Sequence, residues 1–578
     1  MRIPMNCKVV LILAGFTLMS IAAFAQLDQS SMGFHEVSLG RAPNDLAFFL
    51  SWFSKGVTAR YVFIAGTEGS YRVEIDGHPG PVFDNILAYD LKPIIFAPGG
   101  EHLAYIATED GQKLVVVDDQ PGPPFDDIKT PLFSSDGNNI AYAARIDSKW
   151  VVMYNNRPGP EYDHIGKDTP LFSPDGKHVA YVAINGNKQM VVIDEKQGPE
   201  FDGIGMGTPV FSPDGNNVAY PARRGGKSVM VFNYRPGPAF DKVDLPIFSS
   251  DSKHWAYAAY RGSKCLIVYD GVLGPEFEGI GEGTPLFSPD GKNLVYVVLK
   301  NEKFIMVIND KPGPGFDKVG LPIFNSDGSH MAYAAGKDSK WFIVLDSIPG
   351  PVFDGVTDDD LAFSPDGKRM AYCAVNGDKW VAVVDGNPGP EFDGIFKNTL
   401  LFSPDGTRVA YIAAKDGKQL VVTDNQQGRV FDAVGLPMFS PDSKHLAYGA
   451  MDGKKAFMVI NDKPGMDYDA IEDSMPVFSP DSKRAAYLVR RENKEVVVVD
   501  GRPGPGLDSV VTKSIKFSAD SKHFAYKGMK NSVWYVIIDG QIGKEYGSIP
   551  SGPIFMEDGA LEFIGARNGQ IYHARNSF

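Results

Sequence analysis

Three cysteines in 578 residues, Cys7, Cys265 and Cys373, are too few to staple a chain of this length, so packing must hold it. Positive charge is also short: 57 Lys and Arg face 71 Asp and Glu, for a net charge of −14. A chain without a basic face excludes nucleic acid as its main partner, because phosphate backbones are held by clustered cations. Beyond the first 25 residues no apolar run reaches the length of a membrane span. Helical periodicity is missing throughout, which excludes helix bundles and α/β folds. The phrases H-E-x-x-H, C-x-x-C and G-x-S-x-G do not occur, so the usual marks of metalloproteases, zinc sites and serine hydrolases are lacking.

The first 25 residues differ from the rest. Arg2 and Lys8 give a positive start, residues 9–23 are almost entirely apolar, and Ala23-Phe24-Ala25 is a small-residue cleavage site. Charge, length and cleavage site together predict a secretory signal peptide over residues 1–25 and an exported mature chain without a membrane span. No cysteine directly follows the cleavage site, where Gln26 stands, so no lipid anchor is expected. Cys265 and Cys373 fall at different register positions and are read as small core residues rather than a disulfide pair.

What the chain has in abundance is one phrase. F-S-P-D-G-K followed by A-Y starts at Phe172, Phe287 and Phe363, and looser copies begin at Phe96, Phe133, Phe211, Phe248, Phe324, Phe402, Phe439, Phe478, Phe517 and Phe555. Successive phenylalanines lie 37 to 39 residues apart. A fixed period in that range marks an array of small modules that bury their apolar faces only against one another. The 62 Gly and 42 Pro are spread evenly and read as turn punctuation.

Residues 169–204 serve as one module. T-P-L-F-S at 169–173 is a short strand, and Pro174-Asp175-Gly176 suits a tight turn. Residues 178–183 form a second strand, Asn185-Gly186-Asn187 a hairpin, residues 188–194 a third strand, and residues 199–204 a short fourth. Four antiparallel strands without a helix define a propeller blade. The phrase resembles the WD40-like repeats of TolB-type β-propellers, over nearly the whole mature chain. That resemblance implies an all-β tandem propeller and says almost nothing of function, since such repeats serve scaffolds and hydrolase- or lyase-linked propellers alike.

Residues 53–56 and 61–65 read as a degenerate first copy, which brings the count to about fourteen four-stranded blades. The final copy stops after its third strand at 570–575, and residues 33–37 resemble a fourth-strand phrase with no blade before it. Closure by swapping that strand onto the last blade follows, because it covers an open edge. Rings usually hold four to eight blades. Two seven-bladed rings are therefore expected, at 26–311 and 312–578, with the second opening at residues 313–319.

Residues that recur once per blade are poor candidates for a single site. Six histidines (His102, His178, His254, His330, His445 and His523) all precede the A-Y strand, and a lysine opens the third strand in eleven successive modules. The lysines are expected to pair with aspartates such as Asp202 or Asp393. Departures from the repeat are more specific. Asp358, Asp359 and Asp360 form an acidic loop of the oxygen-ligand type that a hard cation takes. Arg223, Arg224, Arg490 and Arg491 are expected in loops between second and third strands, on counting on the same ring face as the Asp cluster, and suit an acidic partner. The expected function is a periplasmic or extracellular, non-enzymatic scaffold that binds a protein or glycan of the cell envelope, with no cofactor. The alternative is a hydrolase or lyase with its active site at a channel mouth.

Overall fold

The computed structural model describes residues 35–41, 49–52, 60–67, 69–75, 78–87, 94–207, 209–357, 360–472 and 475–578. They form fourteen small antiparallel sheets arranged in a ring, with a single 3-10 turn, Thr512–Ser514, as the helical content among them. Each sheet is a blade. The proposed signal segment and the degenerate phrase at 53–56 lie outside the described residues; the first strand of blade 1 is Phe49–Trp52.

Alternation builds each blade. In blade 4 (residues 164–197), Val179–Asn185 and Lys188–Ile193 pair in register from Ala180 with Ile193 to Asn185 with Lys188. Both faces of these two strands are buried at their centres because a sheet stands on either side. One face of blade 4 meets blade 5 (residues 203–240) in a shared core of Val182, Val191, Phe201, Tyr220, Val229 and Val231. The phenylalanine of G-P-x-F and the tyrosine of the next A-Y meet edge to face, as Phe201 with Tyr220 at 6.4 Å and Phe392 with Tyr411 at 6.1 Å. Each module thus closes its core only with its neighbour.

The fourth strand differs from the sequence reading. Residues 199–204 do not form one strand. Lys196–Gln197 pairs with the third strand of its own blade and Phe201 bridges to Gln189, whereas Gly203–Ile204 crosses to blade 5 and pairs with Val218–Arg224. Val210–Phe211 then pairs with the other end of that same strand. The inner strand of a blade is therefore two short pieces separated by a loop, and the G-P-x-F-D-x-I phrase ties one blade to the next.

Ring closure uses the N-terminal strand as expected. His35–Arg41 pairs antiparallel with Gln570–Asn576 and supplies the outer strand that blade 14 (residues 548–576) lacks. The strand expected to open a second ring at 313–319 is instead Lys311–Phe316, hairpinned onto Lys303–Ile308 within blade 7 (residues 279–316), followed by Lys318–Val319 in blade 8 (residues 318–349). Blades 7 and 8 share a core of Val297, Met306, Phe316, Tyr333 and Phe342, of the same kind as the other junctions. Residues 311 and 312 thus lie within the last hairpin of blade 7, like the corresponding residues of other blades.

Candidate partner-binding surface

The polar residues of the repeat bind one another. Ser173 donates to Asp175 at 2.6 Å and accepts from the His178 amide at 3.0 Å, closing the F-S-P-D-G turn. The Ser173 hydroxyl, then Lys177, pull the Asp175 carboxyl down to about 2. Histidines of the recurring register sit on the aspartate that ends the third strand: His178 on Asp194 at 2.6 Å and His254 on Asp270 at 2.7 Å. Arg369 and Arg484 occupy the same register against Asp385 and Asp500. A row of interchangeable His and Arg around the ring is an edge device rather than an acid–base pair.

The strand-opening lysines clamp adjacent blades. Lys188 donates to Asp202 at 2.7 Å, and the other oxygen of Asp202 accepts from the Gly225 amide of the next blade's hairpin at 2.8 Å. These two donors, the lysine first, hold the Asp202 carboxyl below its usual range. Lys379, Asp393 and the Asp416 amide repeat the arrangement at 2.7 Å each. Such half-exposed ion pairs are screened by solvent, so their value lies in register more than in strength.

The structure relocates the arginines. Arg223 and Arg224 end the strand Val218–Arg224, and Arg490 and Arg491 end Ala485–Arg491; neither pair lies in a loop. Arg224 stacks 4.5 Å over Phe201 and donates to the Glu200 carbonyl, and Arg490 pairs with Glu472 at 2.6 Å. Arg223 and Arg491 keep exposed side chains. The acidic loop belongs to a different level of the blade: it interrupts the inner strand of blade 9 (residues 355–392), where Thr357 bonds the Cys373 carbonyl at mid-strand. Asp358 and Asp359 lie outside the described residues. Asp360 is buried, and its carboxylate accepts from the Asn398 amide of blade 10 (residues 394–431) at 2.7 Å and from Thr357 at 3.1 Å. That leaves the carboxylate serving a junction between blades. Among the described residues, no three His, Cys, Asp or Glu side chains converge as metal ligands would. Cys265 and Cys373 are buried and unbridged, and burial pushes both thiols up.

Two features escape the sequence pattern. Loops that break the inner strands carry large exposed apolar side chains, namely Met206, Leu245, Leu321, Phe396, Leu436 and Met475. Their spacing hides in the repeat because the loops differ in length. The second is a charged cluster in blade 14, where fully buried Glu562 accepts from His573 at 3.1 Å and from Arg575, which also bonds Asp558. Burial raises the Glu562 carboxyl, but His573 and Arg575 together pull it below its usual range. These residues satisfy one another beside the closing strand, which pairs Val37 with His573 and His35 with Arg575.

Sheets and repeat define the class: a β-propeller repeat protein. Neither a family model nor a curated protein matches the chain. Among solved structures it is similar to a eukaryotic initiation factor, at 16% identity over 57% of this chain and 94% of that one, with a TM-score of 0.27. It is also similar to TolB from Acinetobacter baumannii, at 17% identity over 40% of this chain and 64% of that one, TM-score 0.19. The β-propeller domain of the Trilobed protease from Pyrococcus furiosus is similar at 12% identity, over 52% of this chain and 94% of that one, TM-score 0.22. The fourteen sheets, not these similarities, carry the assignment of fold.

Proposed function

We propose that the chain is an exported, non-enzymatic propeller scaffold that binds a protein or glycan partner in the cell envelope through its ring faces. One observation supports this reading above the rest: the polar groups that recur in the blades are used up within the ring, while large apolar side chains stand exposed on the loops of the inner strands and along the outer strands. A rigid frame with blade-specific loops is the arrangement that recognition uses. Export rests on the signal-like residues 1–25. No helix among the described residues is long and apolar enough to cross a membrane. Arg223 and Arg491 are placed in this reading as cationic contacts at the strand ends, and Asp358 and Asp359 as the cation-binding part of their loop, with Asp360 tying it to the next blade.

The test is cross-linked affinity capture from envelope extract with the mature chain, run beside R223A/R491A. Recovery of one dominant partner, reduced by the double variant, supports the reading. Failure to recover any partner, together with turnover of an ester, peptide or glycan substrate, would replace the scaffold with the enzyme alternative.

A further inference from the structure

Blade 11 (residues 433–468) breaks the clamp. In nine other blades the lysine that opens the third strand pairs with the aspartate fourteen positions later, as in Lys149–Asp163, Lys188–Asp202, Lys379–Asp393 and Lys418–Asp432. Lys455 instead pairs with Asp467 at 2.8 Å. Asp469, at the position the lysine takes elsewhere, is exposed. One of its oxygens accepts the Glu492 amide at 2.8 Å, and no cation among the described residues pairs with the other.

That carboxylate borders a cleft of about 520 Å³ between blades 11 and 12 (residues 470–503), floored by Leu436, Gly449, Met451, Ile471 and Met475. Leu436, Met451 and Met475 are each about half exposed, at 51%, 47% and 51%. Gly449 lines this cleft at the position after A-Y, where other blades carry Val182, Ala258 or Val297. A Cβ placed there meets only ordinary contact, 3.5 Å from Ile471 Cγ2.

Resting on the partner-binding reading, we propose that this cleft receives a polypeptide segment of the partner that carries a lysine or arginine between apolar side chains. The cation takes the place beside Asp469 that the ring lysine holds in other blades, and the flanking side chains cover Leu436, Met451 and Met475. Charge-assisted hydrogen bonds strengthen where neighbouring apolar groups exclude water. Methionine and leucine adapt to varied aliphatic shapes. A neutral glycan offers neither the cation nor the aliphatic cover, and a volume of this size suits a few side chains.

Fluorescence anisotropy tests this with the whole mature chain and three labelled peptides: Leu-Val-Lys-Val-Leu, the same with Glu for Lys, and Ser-Ser-Lys-Ser-Ser. The lysine-centred apolar peptide is expected to bind, and the other two to bind at least about tenfold more weakly. D469N should weaken the first peptide by about tenfold. G449V should abolish its binding by filling the cleft without disturbing the fold, and D393N, at the clamp of another blade, should change nothing. Equal affinity for all three peptides, no binding of the first, or indifference to D469N and G449V overturns the proposal. Partner capture that survives both variants would leave the scaffold standing while this cleft falls; loss of capture with wild type as well would remove both.

Discussion

Deleting the chain through residue 41 removes His35–Arg41 and strips blade 14 of its outer strand. Five residue pairs are in register across that edge, from His35 with Arg575 to Arg41 with Gln570. Antiparallel pairs alternate between two exchanged bonds and none, so roughly four ladder bonds are lost. At about 1 kcal/mol net for each bond, blade 14 loses roughly 4 kcal/mol. That is a large fraction of the roughly 5–15 kcal/mol that holds a typical domain. It corresponds to about a thousandfold more opening of Gln570–Asn576. The exposed edge should also pair with a second chain. Hydrogen exchange of peptides spanning 561–576, with sedimentation velocity on the same sample, reads both effects. Wild-type exchange across 570–576 in a monodisperse truncated chain would refute closure by this strand.

Three further outcomes follow from the repeat. G215A should destabilise by about 2 kcal/mol in urea unfolding, because Gly215 has φ +79° and a Cβ there falls 2.5 Å from Asp175 Oδ1 of the preceding blade. G225A, at φ +58° with open space around it, should lose about half of that, and equal losses would refute the contact. Y296F should cost about 2 kcal/mol, since the Tyr296 hydroxyl donates to Asp310 at 2.7 Å, whereas Y142F, whose buried hydroxyl has no partner among the described residues, should be neutral or stabilising. Equal unfolding midpoints for the two would contradict the assignment. Asp175, Asp214, Asp251, Asp290 and Asp520 each sit at about 2, held down first by the serine of their turn. Their unfolded value is about 4, so their stabilisation is complete above pH of about 4 and drains away as pH falls toward about 2. Circular dichroism at fixed urea should show that decline, and an unchanged midpoint across the window would rule it out.

The fold was legible because a blade's core residues are local. Phe201 and Tyr220 lie within one period, so the spacing of F-S-P-D-G and A-Y already determines who packs on whom. The orphan phrase at 33–37 gave away the swapped strand for the same reason: it matched a pattern that the last copy lacked. Hydrogen-bond partners of two-residue segments were not legible. Gly203–Ile204 reads as the end of its own blade yet pairs with the next, a choice made by backbone geometry and not by side-chain type. Arg223 and Arg224 read as loop residues because Gly225-Gly226 makes the turn tighter than composition suggests, with Arg224 already opposite Lys227. The division into rings of seven follows from customary ring size and blade counting, while Lys311 and Pro312 sit in an ordinary blade hairpin. At the candidate cleft, a glycine reads as a weak strand position until the structure places it on a floor. Whether Lys455 reaches Asp467 or Asp469 likewise depends on two positions that face the same lysine.

The clamps also decide where the charge of this protein acts. Each Lys–Asp or Arg–Asp pair sums to zero, so the net −14 belongs to carboxylates left over when the repeat has satisfied itself. Asp469 is one of these, and it lies beside an exposed apolar floor. A field built from leftovers is uneven around the ring, and an uneven field orients a cationic partner as well as attracting it. Added salt should therefore slow association with the cleft, because exposed charges are screened within about 8 Å at physiological ionic strength. It should do little to the ring, whose cohesion lies in buried cores such as Val182, Phe201 and Tyr220. Stopped-flow association rates and urea midpoints measured across the same salt series separate the two. A midpoint that fell as steeply as the rate would mean that the clamps, not the cores, hold the blades together.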